Sequence, residues 1–249
     1  MKSIIHVLYC IYQLVIAAPL AILATILTSL FTVVGATIGS TDFWGYWPSH
    51  LWAKFILAIL FIPVKVKGRE NVDKNTSYVF LANHQGSFDI FLIYGYLNRD
   101  FKWMMKMGIK KMPFVGAACA AAHHIFVDNS SPKKTAETID LARKTLQKGT
   151  SMAVFPEGRR SFNGKMGPFK KGAFILADEL QLPVVPMTID GAFDILPRTK
   201  GLNFIKWHRL VLTMHQPIPP TGQGTEDIKV TMQKTREAIN TALPKKYQD

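Results

Sequence analysis

Apolar positions are spread unevenly along the chain. Between residues 3 and 41 there is no Asp, Glu, Lys or Arg, and residues 14–38 are interrupted only by Thr, Ser, Gly and one Pro. As a helix that stretch rises about 37 Å at about 1.5 Å per residue, enough to cross a hydrocarbon core of about 30 Å with some tilt. A cleaved signal sequence carries a shorter apolar region ending in small residues, so a membrane span is the expectation. A second apolar run, 55–64, follows Trp44, Tyr46, Trp47 and Trp52, the composition of a belt at headgroup level. It suits an interfacial or re-entrant helix, with a core helix of the soluble part as the alternative.

After Pro63 the texture changes to short β-rich runs separated by polar or Gly-containing turns. Strands are predicted over 63–67, 78–82, 101–105, 124–127, 152–155, 184–189 and 209–214, several of them continuously apolar, as strands buried on both faces are. Helical patterns over 89–97, 133–148, 169–180 and about 227–242 alternate with them. Alternation of this kind predicts an α/β fold: a mostly parallel or mixed sheet flanked by helices, preceded by the transmembrane and interfacial helices. The expected division is a membrane-anchoring helical segment, 1–62, and one α/β domain, 63–249. A chain of 249 residues is long enough for one such domain with an appendage.

Charge adds a partner to this picture. The formal net charge is +13, and residues 99–171 hold 15 Lys or Arg against 5 Asp or Glu. A basic surface beside a membrane anchor attracts anionic headgroups at about 1 kcal/mol per Lys or Arg. Nucleic acid is not expected as a partner, because zinc-ligand spacing, an aromatic RNA-binding signature and a recognition-helix pattern are all missing. Cys10 and Cys119 are the two cysteines and suggest no disulfide framework. Lys2 precedes the long apolar run, whereas Lys54, Lys65, Lys67 and Arg69 follow it. The positive-inside bias then predicts a cytoplasmic (inner) membrane with the domain facing the cytoplasm.

In α/β sheets ligands bind outside the carboxyl ends of the strands. Three polar segments follow predicted strands here, 83–89, 128–129 and 156–161, and are expected to share a cleft. His84 and Asp89 are five apart, about 140° around a regular helix, so they would not share a helical face. With His84 in a loop and Ser87 capping the next helix, Asp89 falls in the first turn and reaches back to the imidazole. A carboxylate there fixes the tautomer and stabilises the imidazolium. By spacing alone, the same two residues also read as a structural histidine and a helix-start carboxylate. No Gly-x-Ser-x-Gly elbow is present, which favours direct attack by a substrate hydroxyl over a covalent acyl-enzyme. Glu157, Gly158, Arg159, Arg160 and Ser161 form a turn with two guanidiniums, suited to phosphate or a polyol, or equally to an exposed charged turn.

Asn83-His84 with Asp89, followed by Phe-Pro-Glu-Gly-x-Arg-Ser at 155–161, resembles the glycerolipid acyltransferase family, and within it the lysophosphatidic acid acyltransferases. The likeness covers about 63–217, with Lys106, Pro113 and Gly116 in a second block and Val185-Pro186 in a fourth. It implies that His84 is the base and Asp89 its partner, that Glu157, Gly158 and Arg160 bind the acceptor with Arg160 nearest the phosphate, and that Lys106 is a further phosphate ligand. It also implies a membrane lipid acceptor, an acyl-CoA or acyl-carrier-protein co-substrate, phosphatidic acid as product, and no metal or redox cofactor. Two positions depart from the pattern: Asn129 where many members have Arg, and Arg159 where Thr is usual. They keep open another acceptor, glycerol 3-phosphate or another lysophospholipid. A non-enzymatic protein gripping anionic membranes is the alternative from a different class.

Overall fold

The computed structural model describes residues 2–128, 130–146, 149–198 and 203–248. Helices α1 (Lys2–Tyr12) and α2 (Ala18–Ile38) are joined by a π-helical turn, Gln13–Ala17. Within them Ile4–Ile38 is, by its length and composition, able to cross a membrane, and it is largely exposed. Helix α3 (Thr41–Ile59) turns back along α2. The close approach needs a glycine: a Cβ on Gly35 would fall 2.1 Å from the Trp44 ring. Trp52 Nε1–H donates to Thr25 Oγ1 at 3.0 Å, satisfying a hydroxyl in the apolar hairpin.

Of the expected interfacial run at 55–64, residues 55–59 are the end of this longer helix, 60–63 turn out of it and Val64 opens the first strand, and α3 has two apolar faces. Ala53, Ile56 and Leu57 are buried with β-strand side chains and with Leu92 and Ile93 in one core, while Phe43, Trp47, Leu51 and Phe55, spaced four apart, stay exposed. The inner face is therefore a core helix of the α/β domain, and the outer stripe keeps the composition of an interfacial one.

The α/β part comprises β1 (Val64–Lys67), β2 (Val79–Ala82), α4 (Phe88–Tyr96), β3 (Phe101–Lys106), α5 (Val115–Ala121), β4 (Ile125–Val127), α6 (Pro132–Leu146), β5 (Ser151–Val154), α7 (Gly172–Glu179), β6 (Val184–Asp190), α8 (Ala192–Ile195), β7 (Leu210–Met214) and α9 (Thr225–Ala242). The seven strands form one sheet in the order β1-β7-β6-β2-β5-β3-β4. Neighbours run parallel except β6 and β7, which are antiparallel, so the sheet is mixed. All seven predicted strands are present. Central β2 is buried on both faces: Phe80 and Ala82 join the core with α3 and α4, and Val79 and Leu81 join a second core with Phe174, Leu176 and Leu146. The continuous apolar run is the direct trace of that two-sided burial.

Candidate active site

Pairing in the sheet decides which loops meet. Leu81 of β2 pairs with Val154 of β5 and Ala82 with Met187 of β6, so the segments leaving β2 and β5 emerge side by side. The third segment does not join them. β4 is the sheet edge, three strands from β2, roughly 14 Å at about 4.8 Å per strand. Asp128 there accepts the Ser130 amide at 2.9 Å in the turn leading to α6, and Asn129 lies outside the described residues. Sequence cannot reveal this separation, because strand order is set by packing across the sheet.

The end of β2 is clamped first. The Asn83 side chain donates to the Ile189 carbonyl at 2.8 Å and accepts the Ile189 amide at 2.7 Å, so β2 is tied to β6 at the residue before the histidine. His84 Nδ1 lies 2.7 Å from Asp89 Oδ2. Asp89 is fully buried in the first turn of α4 and accepts the Gly86 amide with the same oxygen at 2.9 Å. Nδ1 therefore carries the proton, because the carboxylate can only accept. Nε2 has no hydrogen-bond partner among the described residues, and the side chain is 14% exposed. Ser87 occupies the N-cap position as expected, but its hydroxyl makes no cap bond and instead accepts from Arg160 Nη1 at 2.6 Å.

The imidazole plane is fixed from the neighbouring strand. Phe155 stacks on it with centroids 3.9 Å apart and planes 8° from parallel, and Trp103 stacks on Phe155 at 5.3 Å. Sequence reading missed this role for Phe155; the only signal was its place at the end of a strand beside the one bearing His84. Glu157 is buried, with Oε1 accepting the His84 amide at 2.8 Å and Oε2 the Gly167 amide at 2.7 Å. Burial pushes its carboxyl above the usual carboxylate range, and those two amides pull against the shift. Both oxygens thus brace the histidine loop against 157–170. The Ser161 amide closes the brace by donating to the His84 carbonyl at 2.8 Å. Gly158 turns with φ 66°, a conformation that favours glycine.

Beside this brace lies an open cavity of about 710 Å³, lined by Lys106 and residues 157–163 and 165–170. It brings together Lys106, Arg159, Arg160, Lys165 and Lys170, facing Glu157 as the single acidic side chain in the lining. All of the expected substrate-binding residues, Glu157, Gly158, Arg159, Arg160, Ser161 and Lys106, meet here; His84 is outside the lining, and its backbone is tied to the rim by the bonds to Glu157 and Ser161. Arg198 adds a cation over the Phe162 ring at 4.1 Å. Among the described residues no three of His, Cys, Asp and Glu converge as metal ligands would.

An α/β sheet carrying a carboxylate-steadied imidazole at a strand crossover, next to a cationic groove, is equipped to take a proton from a hydroxyl near an anionic group. The chain belongs to the acyltransferase family, whose model matches residues 63–190. Over 171 residues it is 32% identical to a chloroplastic 1-acyl-sn-glycerol-3-phosphate acyltransferase of Brassica napus, covering 68% of this chain and 49% of that protein. Over 189 residues it is 29% identical to the 1-acyl-sn-glycerol-3-phosphate acyltransferase of Saccharomyces cerevisiae, covering 73% and 62%. The chain thus spans about half the length of the first of these relatives. The crystal structure of the lysophosphatidic acid acyltransferase PlsC from Thermotoga maritima shares the fold, with a TM-score of 0.77, 24% identity, and 96% and 95% of the two chains covered.

Proposed function

We propose that this protein acylates the free hydroxyl of lysophosphatidic acid, giving phosphatidic acid in phospholipid biosynthesis. The observation that carries the reading is the 2.7 Å His84–Asp89 pair standing beside a groove with five cations. The names of the relatives support the same acceptor. In the proposed reaction His84 Nε2 takes the hydroxyl proton as the oxygen attacks the thioester carbonyl carbon. The carbon–sulfur bond then breaks, and the departing thiolate recovers the proton from the imidazolium. Asp89 holds the ring in the required tautomer and offsets its transient charge. Lys106, Arg159 and Arg160 are the groups offered to the phosphate, with Glu157, Gly158 and Ser161 shaping the turn that presents them. The donor is acyl-CoA or an acyl-carrier protein, and no metal or redox cofactor takes part.

The hairpin of residues 1–62 is the proposed membrane anchor and 63–249 the catalytic domain, facing the cytoplasm from the cytoplasmic membrane. Because acceptor and product both stay in the bilayer, each buried CH₂, worth about 0.8 kcal/mol, need never be exposed to water. Purified protein in detergent, tested by thiol release with a panel of lipid alcohols, is expected to respond to lysophosphatidic acid. His84→Ala is expected to lower turnover about 10²–10⁴-fold with acceptor binding retained. Steady release with another alcohol alone would reassign the acceptor, and unchanged turnover of His84→Ala would end the base assignment.

A further inference from the structure

The groove has one wall whose outward side the reaction does not use. Between Lys106, at the groove, and α5, the chain makes a 3-10 turn, Met107–Lys111, and then the residues 112–114. Met112 and Phe114 are 51% and 57% exposed, and Lys106, Lys110 and Lys111 are exposed beside them. Met112 and Phe114 have no role in the core, and an apolar pair bracketed by lysines is the composition of a membrane-surface contact.

The tip is preformed. The Met112 amide donates to the Ile109 carbonyl at 3.0 Å and the Gly116 amide to the Met112 carbonyl at 2.9 Å. A Cβ on Gly116 would come 2.2 Å from the Lys110 carbonyl oxygen, so this tight return accepts only glycine. Phe114 has φ 59° and ψ −56°, a sparsely populated backbone for a bulky side chain, and no burial of its ring compensates for it. Strain retained to hold an aromatic ring outward points to an external contact. The position of the tip says which one. It is the start of α5, and α5 packs on α2 and α3, the apolar hairpin; just past its end Ala122 lies against Gly45 of α3.

We propose that the 107–114 tip is a lipid-surface contact, with Met112 and Phe114 entering the headgroup boundary of an anionic membrane and Lys110 and Lys111 meeting its phosphates, so that the Lys106 wall of the groove is held at the bilayer face. An acyl-carrier protein would answer the lysines, but the apolar pair and the continuity with the hairpin favour lipid. The inference rests on the membrane side of the proposed reading and not on its chemistry.

The test uses the full chain with Cys10→Ala and Cys119→Ala, carrying Met112→Cys or, as a control on α9, Lys234→Cys, each labelled with an environment-sensitive fluorophore. In phosphatidylcholine vesicles with phosphatidylglycerol, the label at 112 is expected to shift to the blue and to be quenched by spin-labelled lipid, while the label at 234 is not. Lys110→Gln and Lys111→Gln should each cut the gain from phosphatidylglycerol about fivefold (about 1 kcal/mol per Lys). A label at 112 as aqueous as that at 234, or one responding only to added acidic acyl-carrier protein, overturns the proposal. Hydrogen exchange on the unsubstituted protein checks it without labels: amides of 107–112 should be more protected with phosphatidylglycerol than without, and equal protection sinks it. Neither readout needs turnover, so failure of acyl transfer would not be mistaken for failure of the contact.

Discussion

Asp89→Asn tests the proposed chemistry most sharply, because the structure shows what the amide can and cannot do. If its oxygen keeps the place of Oδ2, accepting His84 Nδ1–H and the Gly86 amide, its NH₂ replaces Oδ1, a buried atom without a hydrogen-bond partner. An unpaired buried donor there costs about 1–3 kcal/mol of stability. If the amide flips, NH₂ meets the Gly86 N–H and drives the imidazole to the tautomer whose Nε2 is already protonated. In both cases the negative charge is gone. A unit charge pair about 4 Å apart at an effective dielectric near 20 attracts by about 4 kcal/mol. With the imidazolium about half formed in the transition state, about 2 kcal/mol is lost, a fall in kcat of about thirtyfold, and tautomer exchange deepens it towards about 10³. Thiol release at saturating lysophosphatidic acid measures kcat, with a thermal melt to show that the variant is folded. The effect must also saturate: added to His84→Ala, Asp89→Asn should cost almost nothing more. A folded Asp89→Asn within about threefold of the parent, or losses that multiply in the double variant, would refute the dyad.

Two further outcomes follow from the packing. Phe155→Leu keeps apolar volume but removes the ring stacked on His84 at 3.9 Å; losing an aromatic pair of about 0.5–1.5 kcal/mol should lower kcat about 2–10-fold with KM little changed, and a change confined to KM would contradict a positioning role. His124 is a buried base: the Trp103 amide donates to Nδ1 at 3.2 Å, so Nε2 holds the proton facing the Tyr94 hydroxyl at 2.6 Å, and burial pushes the imidazole down to about 3 from 6.5. Because the unfolded chain takes up this proton first, stability complete above pH 6.5 is lost as pH falls towards 3, by about 3 kcal/mol near pH 4. Melts across that range should fall more steeply for the parent than for His124→Gln, and matching slopes would exclude the histidine as the cause.

What the sequence discloses is what local chemistry dictates. The strands are legible because two-sided burial demands unbroken apolar runs, as in Val79–Ala82; the dyad is one of two readings that a spacing of five across a loop and helix start allows, and the family resemblance chooses between them. The full extent of α3 was hidden: Pro48 lies inside it, and its residues face a core, a helical partner and open surface by turns, which erases a simple period. The helix expected from 169 begins at Gly172, since the residues before it line the groove. The expected cleft is wider than the observed one because Asp128 follows a strand that only tertiary pairing sends to the sheet edge, and no local signal announces that Glu157 places both oxygens on backbone amides rather than leaving them open.

The π-helical turn in the first helix has a mechanical meaning. It carries Gln13, whose amide grips the Ile205 backbone twice, at 2.8 and 2.9 Å. The Lys206 amide next to it bonds the Ile195 carbonyl at the end of α8, and Ala192 at the other end lies so close to Gly86 that a Cβ there would sit 2.8 Å from its carbonyl oxygen. The apolar first helix is thereby riveted, through a short train of close contacts, to the loop bearing the imidazole. With the proposed anchoring, tilt imposed by bilayer thickness would have a load path that ends at His84.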